Sequence, residues 1–173
     1  MTLDDVVIRP YQDGDAQDLV LAVHESIAEL SPWMPWCTPE YSLEDAVTWI
    51  ETTKVGHAEG SMYQFAIFAA GTFAGGCGIG HISHANQFAN LGYWVRTGMT
   101  GRGIAAAAVP KLASWTFDNT RLNRLEIVAA VDNLRSQRVA EKAGAEREGT
   151  LRHRVLLQGL PRDAVMYSLI RGQ

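Results

Sequence analysis

The stretch Leu91-Gly-Tyr-Trp-Val-Arg-Thr-Gly-Met-Thr-Gly-Arg-Gly-Ile-Ala105 joins a strand, a glycine turn and the start of a helix. Leu91, Tyr93 and Val95 alternate with Gly92, Trp94 and Arg96, the period-2 signal of a strand. Thr97 to Gly103 is rich in glycine. Ala105 to Ala108 are strong helix formers and predict a helix from about Ile104 to Phe117. Gly101 and Gly103 carry no side chains, so an anion can approach the backbone closely. The first N–H groups of the helix, from Ile104 and Ala105 on, lack intrahelical partners and hold the positive end of its dipole. Strand, glycine turn and helix therefore make a diphosphate site on physical grounds, and Arg102 adds charge. A structural turn into an alanine-rich helix is the other reading of the same residues.

Two known phosphate grips fit this stretch poorly. A P-loop needs Lys and then Ser or Thr after its last glycine, where this chain has Ile104-Ala105. Gly101-x-Gly103-x-x-Ala106 matches the dinucleotide fingerprint literally, but that fingerprint follows the first strand of an alternating βαβ series. Here several strands and helices come first, and Glu126 lies past the usual ~20-residue spacing for a ribose-binding acid.

Before the central stretch, Val6 to Arg9 read as a strand closed by Pro10. Asp13 or Asp15 caps a helix to about Leu30, with Leu19, Val23, Ile27 and Leu30 at helical spacing. Ser31 to Pro39 breaks it. Ser42-Leu-Glu-Asp45 is a capping box that opens a second helix, ended by Gly56 to Gly60. Met62 to Phe68 and the glycine-rich, bulged Phe73 to Ile82 are strands joined at Ala70-Gly71. After the centre, Pro110 conflicts with the helix around it, a conflict best relieved by a kink. Arg124 to Val131 is a buried strand, and Asp132 or Asn133 caps a helix ended by Gly144. Glu146–Leu157 and Ala164–Ile170 form a hairpin. The order β-α-α-β-β-β-α-β-α-β-β indicates a mixed sheet with helices on its faces.

The length of 173 residues suits one domain, 1–173, able to bury its own core. A composition 47% hydrophobic and 20% charged argues against disorder and fibre. No apolar run reaches the ~18 residues of a membrane span, and the acidic start shows no secretory signal. Cys37 and Cys77 make neither a disulfide framework nor a metal cage, so a reducing, cytoplasmic setting and no metal are expected. The formal charge of −4 hides an asymmetry. Residues 1–96 hold three basic and twelve acidic residues, a balance of −9, and residues 97–173 hold twelve and seven, a balance of +5. The basic half suits an anionic cofactor and the acidic half a cationic amine, unless the charges are merely solvated. With no basic tract, nucleic acid is not an expected partner.

Four stretches in order carry a resemblance: Ser31-Pro-Trp-Met-Pro-Trp36, Leu91-Gly-Tyr-Trp-Val95, Thr100-Gly-Arg-Gly-Ile-Ala105 and Asp132-Asn-Leu-Arg-Ser-Gln-Arg-Val-Ala-Glu-Lys-Ala-Gly144. The chain resembles the GNAT superfamily of N-acetyltransferases, in its RimJ/RimL-like branch that acetylates ribosomal-protein N-termini. The resemblance implies an α/β (α+β) GNAT fold: a mixed, mostly antiparallel sheet of six to seven strands with about four helices on its faces. It implies acetyl-CoA as donor and, as acceptor, a protein or peptide N-terminus or a small amine, in a chain that could form a homodimer. It assigns the cofactor to Tyr93, Val95, Gly101, Arg102, Gly103, Ile104, Ala105 and Asn133. The main chain around Tyr93–Val95 would pair with the pantetheine arm, and the N–H near Val95 would face the thioester carbonyl. Ser136 would protonate the CoA sulfur.

The chain also departs from the family pattern. Thr100 stands where relatives have Gln or Arg, and Asn90 where many have a Glu that serves as base. An α-amine, with a pKa near 7.7–8.0, is roughly a tenth neutral at pH 7, whereas a lysine amine near 10.4 is under about a thousandth neutral. A weak base therefore suits an N-terminal acceptor. His81 and His84 lie near the acceptor side, and either could be the base, with His84 the catalytic candidate. Trp33 and Trp36, with Met34, are candidates for the acceptor pocket wall. Glu25, Glu29, Glu40 and Glu44 are candidates to attract a cationic amine. The competing classes are a CoA-binding module without catalysis and a dinucleotide oxidoreductase.

Overall fold

The computed structural model describes residues 5–172. The elements are β1 (Val6–Pro10), α1 (Ala16–Leu30), α2 (Leu43–Glu59), β2 (Tyr63–Ala69), β3 (Thr72–Ser83), β4 (Phe88–Val95), α3 (Ile104–Asn119), β5 (Arg124–Ala130), α4 (Leu134–Lys142), β6 (Glu146–Leu157) and β7 (Leu160–Ile170). Single 3-10 turns precede α1 and α3, at Asp13–Asp15 and Thr97–Met99. The element order is the one the sequence predicts.

Local chemistry accounts for most boundaries. At the start of α2, Ser42 Oγ accepts the Asp45 N–H at 3.2 Å and Asp45 Oδ2 accepts the Ser42 N–H at 2.8 Å, a reciprocal cap. Gly56 lies inside α2, and the helix ends at Gly60. Ala70 and Gly71 both have positive φ, the geometry of a two-residue hairpin loop, and Gln158-Gly159 repeats it between β6 and β7. Asp15 stands at the N-cap of α1 without capping it through its side chain. Its carboxylate instead takes the Gln12 N–H at 2.8 Å and two Arg9 bonds at 2.6 and 2.7 Å, tying α1 to β1. α3 runs on across Pro110, which is exposed.

The seven strands form one sheet in the order β1-β2-β3-β4-β5-β7-β6. All neighbours are antiparallel except β4 and β5, and α3 is the crossover such a parallel pair requires. Strand alternation divides the core between two faces. Phe65, Ile67 and Leu91 pack with Ile104, Val109 and Leu112 of α3 and Ala140 of α4. Ala66, Phe68 and Trp94 face the other way, toward Leu19 and Val23 of α1 and Ala46 and Ile50 of α2. Full burial of a side chain such as Leu112 or Ile67 contributes about 1.5–3 kcal/mol. The helix pairs thus clamp the sheet from both sides, with β4 between them.

Candidate active site

β4 and β5 stay in register only from Phe88–Arg124 to Asn90–Glu126. Beyond that point β4 runs to Val95 beside β3, and β5 runs to Ala130 beside β7. The sheet therefore opens into a V with Asn90 at its vertex. The Arg96 N–H donates to the Ala74 carbonyl at 2.8 Å, across to β3. Amide direction alternates along an antiparallel pair, so Trp94 and Arg96 face β3. The N–H and C=O groups of Tyr93 and Val95 face the gap. An extended ligand arm can add there as a strand would.

β4 leads directly into the glycine turn. Gly101 and Gly103 have φ of +76° and +79°, a region that costs other L-residues about 1–2 kcal/mol. Gly103 is the N-cap of α3, and no side chain caps the helix. Its leading N–H groups are left to a ligand or solvent. Ile104 and Ala105 bury their side chains in the core, so their contribution at the turn is backbone. Arg102 is exposed, and its Nη2 donates to the Gly98 carbonyl at 2.9 Å, folding the guanidinium onto its own turn.

The turn is held from α1, and this the sequence did not reveal. Glu25 accepts from the Arg96 guanidinium and from the Gly98 N–H. Ser26 Oγ accepts the Thr97 N–H at 3.0 Å, and Glu29 Oε2 accepts the Thr97 hydroxyl at 2.9 Å. Glu25 and Glu29 share one helix face at i, i+4 spacing, and that face looks at the turn. They are therefore its anchors, a correction to their reading as attractors of an amine. Arg96 holds the Glu25 carboxyl below its ordinary range. A Cβ on Gly98 would come within 2.6 Å of Glu25 Oε1, so a larger residue there would push the Glu25 carboxylate aside.

Across the V stands the N-terminus of α4. Asn133 Oδ1 accepts the Ser136 N–H at 3.1 Å, so Asn133 is the helix cap. The Tyr93 hydroxyl donates to the Ser136 carbonyl at 2.8 Å and shares a 3.1 Å hydrogen bond with Ser136 Oγ. Burial pushes the Tyr93 phenol up to about 12, against the opposing bond to Ser136. Tyr93 therefore stays protonated at neutral pH and fixes the Ser136 hydroxyl.

The opposite face of the sheet holds a cavity of about 770 Å³, walled by β3, β4, α2 and the segment after α1. Trp36 meets Trp94 edge-on at 5.8 Å and Tyr41 at 6.0 Å. Tyr93 also lines this cavity, so the cavity and the gap meet at that residue. Trp33 is not in the wall; Met34 and Trp36 are, because the chain turns there with both Trp33 and Met34 N–H groups on the Leu30 carbonyl. His84 is not in the wall either. It lines a separate pocket of about 160 Å³ with Tyr63 and Arg121. His81 takes the place at the cavity. The β3 register shifts between Gly80 and Ser83, and His81 has φ +49°, so the simple alternation that would place these histidines is broken. Glu40 and Glu44 are also outside the wall; Asp45 is the carboxylate in it, held below its ordinary range by Ser42. Among the described residues, Asn90 Oδ1 is the one buried side-chain polar atom without a hydrogen-bond partner. Among them, too, no group of three His, Cys, Asp or Glu side chains is placed to hold a metal ion.

Comparison with known proteins agrees with this fold. The family model of the acetyltransferase (GNAT) domain matches residues 5–146. The Bacillus subtilis (strain 168) protein YdaF is 28% identical over 169 residues, covering 97% of this chain and 92% of that protein. The ribosomal-protein-serine acetyltransferase of Escherichia coli (strain K12) is 26% identical over 159 residues, covering 90% and 89%. Among solved structures, the microcin C7 self-immunity acetyltransferase MccE, in complex with acetyl-CoA and AMP, is 26% identical. It superposes with a TM-score of 0.89 over 96% of this chain and 93% of that one.

Proposed function

The chain belongs to the GNAT acetyltransferase family, and from that premise we propose that it moves the acetyl group of acetyl-CoA to the α-amine of a protein or peptide N-terminus. Acetyl-CoA is the donor, and the chain is an N-acetyltransferase. The observation that carries the mechanism is the V between β4 and β5. Its free amides at Tyr93 and Val95 lie beside an uncapped helix that follows a left-handed glycine turn.

In this reading the Gly101–Ala105 backbone cradles the diphosphate, and the β4 amides pair with the pantetheine arm. One of those amides stabilises the oxyanion. The amine lone pair bonds to the thioester carbon, and the C–S bond breaks. Ser136 gives its proton to the departing thiolate and recovers one from the amine nitrogen through solvent or the Tyr93 hydroxyl. Asn133 holds the helix start that aims Ser136.

An N-terminal acceptor is supported by the likeness to the Escherichia coli ribosomal-protein-serine acetyltransferase and by the lack of a Glu at position 90. A small amine is a second reading, supported by the ring wall of Trp36, Tyr41 and Trp94 and by the likeness to MccE. The test is release of CoA thiol from acetyl-CoA with Ser-, Ala- and Thr-ended peptides and a set of polyamines. Release with peptides alone supports the first reading, release with polyamines alone the second. CoA binding without release on any amine rejects both.

A further inference from the structure

We propose that Asn90 Oδ1 holds the acceptor amine by accepting one of its N–H groups, and that the amine must arrive uncharged because the residue holding it cannot take a proton. The proposal rests on the acetyl-transfer reading above and adds the group that selects the amine.

The oxygen is buried and unpartnered, and Asn90 lines the cavity, so a turn of its amide brings the oxygen to an incoming N–H. A buried acceptor with no donor lowers stability, and a ligand N–H relieves that penalty. Strand alternation places Asn90 on the same face as Trp94, toward the cavity, while Leu91 and Val95 face the opposite core. Asn90 is also the last β4 residue in register with β5, so it sits where the V closes. Along the strand, Asn90 lies about 10 Å from Tyr93 and about 17 Å from Val95. A hydrogen bond from the amine, a near-attack contact, the carbonyl bond and an oxyanion hydrogen bond together span about 10 Å. The Tyr93 N–H is therefore the oxyanion donor, and Val95 is left to the pantetheine arm.

The titratable groups facing the cavity are Tyr11, Tyr41, Asp45, Cys77, His81 and Tyr93. Burial pushes Tyr11, Tyr41, Cys77 and Tyr93 upward, so they are protonated at neutral pH and none is a base there. Asp45 is engaged by Ser42, which favours its charged form and makes it a poor base. Glu126, the register partner of Asn90 on β5, is tied to the Arg124 guanidinium at 2.9 Å, and His81 remains as the competing proton acceptor on the cavity side. Asn90 keeps its hydrogen bond while the nitrogen lone pair attacks, and the surplus proton leaves later for the thiolate.

The experiment follows CoA release at saturating acetyl-CoA across pH 6–9. The probes are an Ala-ended peptide and an N-blocked peptide with one lysine. Wild type is expected to use the α-amine, with kcat/KM rising tenfold per pH unit and levelling near the pKa of the amine, about 7.7–8.0. Asn90→Ala is expected to lower kcat/KM for the amine about 10- to 100-fold with CoA affinity changed less than about twofold. Asn90→Asp keeps an oxygen in place and adds a base, so its profile gains an enzyme ionisation and its preference for the α-amine narrows. Asn90→Leu removes the unpaired oxygen, so the free protein should melt about 2–6 °C higher. Wild-type turnover that Asn90→Ala leaves unchanged overturns this proposal alone. A wild-type ionisation that disappears in His81→Gln also overturns it. A wild type that binds CoA and acetylates no amine overturns the acetyl-transfer reading, and this proposal with it.

Discussion

Removing the Glu25 side chain should loosen the glycine turn from α1, in the fold's other layer, without removing any group on the ligand path. Glu25 receives two bonds from Arg96 and one from the Gly98 N–H, all charge-assisted. Its side chain is 33% exposed and that of Arg96 20%, so solvent screens part of the interaction. After that discount the set is worth about 1.5–3 kcal/mol. If the turn stays ordered in the free variant, the loss appears as stability, about 3–10 °C in Tm for a chain of this size. If the turn frays, the loss appears in ligand binding, and the CoA Kd rises about 10- to 100-fold. Calorimetric titration with CoA and a melting curve on Glu25→Ala together capture both. Glu25→Gln, which keeps one acceptor oxygen but not the charge, should fall between. The pH dependence has a definite sign. Arg96 lowers the folded value of the Glu25 carboxyl, so its contribution is complete above the ordinary carboxylate range. It is lost as pH falls through the lowered value, and the alanine variant should lack that acid limb. A variant with unchanged Kd and unchanged Tm would show that the α1 contacts do not hold the turn.

Three further outcomes are expected. Ser136→Ala should lower kcat about 10- to 100-fold with CoA affinity intact, and Tyr93→Phe, which frees the Ser136 hydroxyl, about 2- to 12-fold; pre-steady-state and steady-state CoA release separate the two. Gly103→Val forces a β-branched residue to φ +79° at the start of α3, so CoA affinity should drop at least about tenfold by titration calorimetry while peptide KM is unmoved. Arg124 and Ser168 hold Glu148 down to about 2, so its contribution is complete above the ordinary Glu range and disappears as pH falls toward 2. Urea unfolding of Glu148→Gln at pH 7, 4 and 3 should show a shallower acid loss than wild type.

What could be read in advance was local. The Ser42–Asp45 cap, the Ala70-Gly71 turn and the Gly144 helix end depend on neighbours a few residues apart, and each stands where the sequence puts it. The glycine turn and the α4 cap are of the same kind. The α1 anchors are not. Glu25 meets Gly98 across 73 positions, and nothing near Glu25 distinguishes it from a solvated helix carboxylate. Counting along β3 does not separate His81 from His84, for a different reason. A register shift and a left-handed residue change which face of β3 a side chain takes, and period-2 counting has no access to either. Trp33 and Trp36 show the same weakness in a turn, where one residue decides which indole reaches the cavity.

The charge asymmetry finds a use different from the one it suggests. An acidic half would draw in an ammonium ion, yet two of its carboxylates, Glu25 and Glu29, hold the glycine turn. The cavity wall keeps Asp45 alone as a carboxylate, beside aromatic rings and an amide oxygen without a donor. Such a wall offers little to a charged amine and much to a neutral one that carries N–H groups into it. The acids thus serve the donor site by ordering its turn, and their distance from the acceptor side leaves selection to hydrogen bonding. Turnover on a neutral α-amine should therefore depend only weakly on salt through the acceptor, and a steep salt dependence of acceptor KM at constant CoA occupancy would contradict this division of labour.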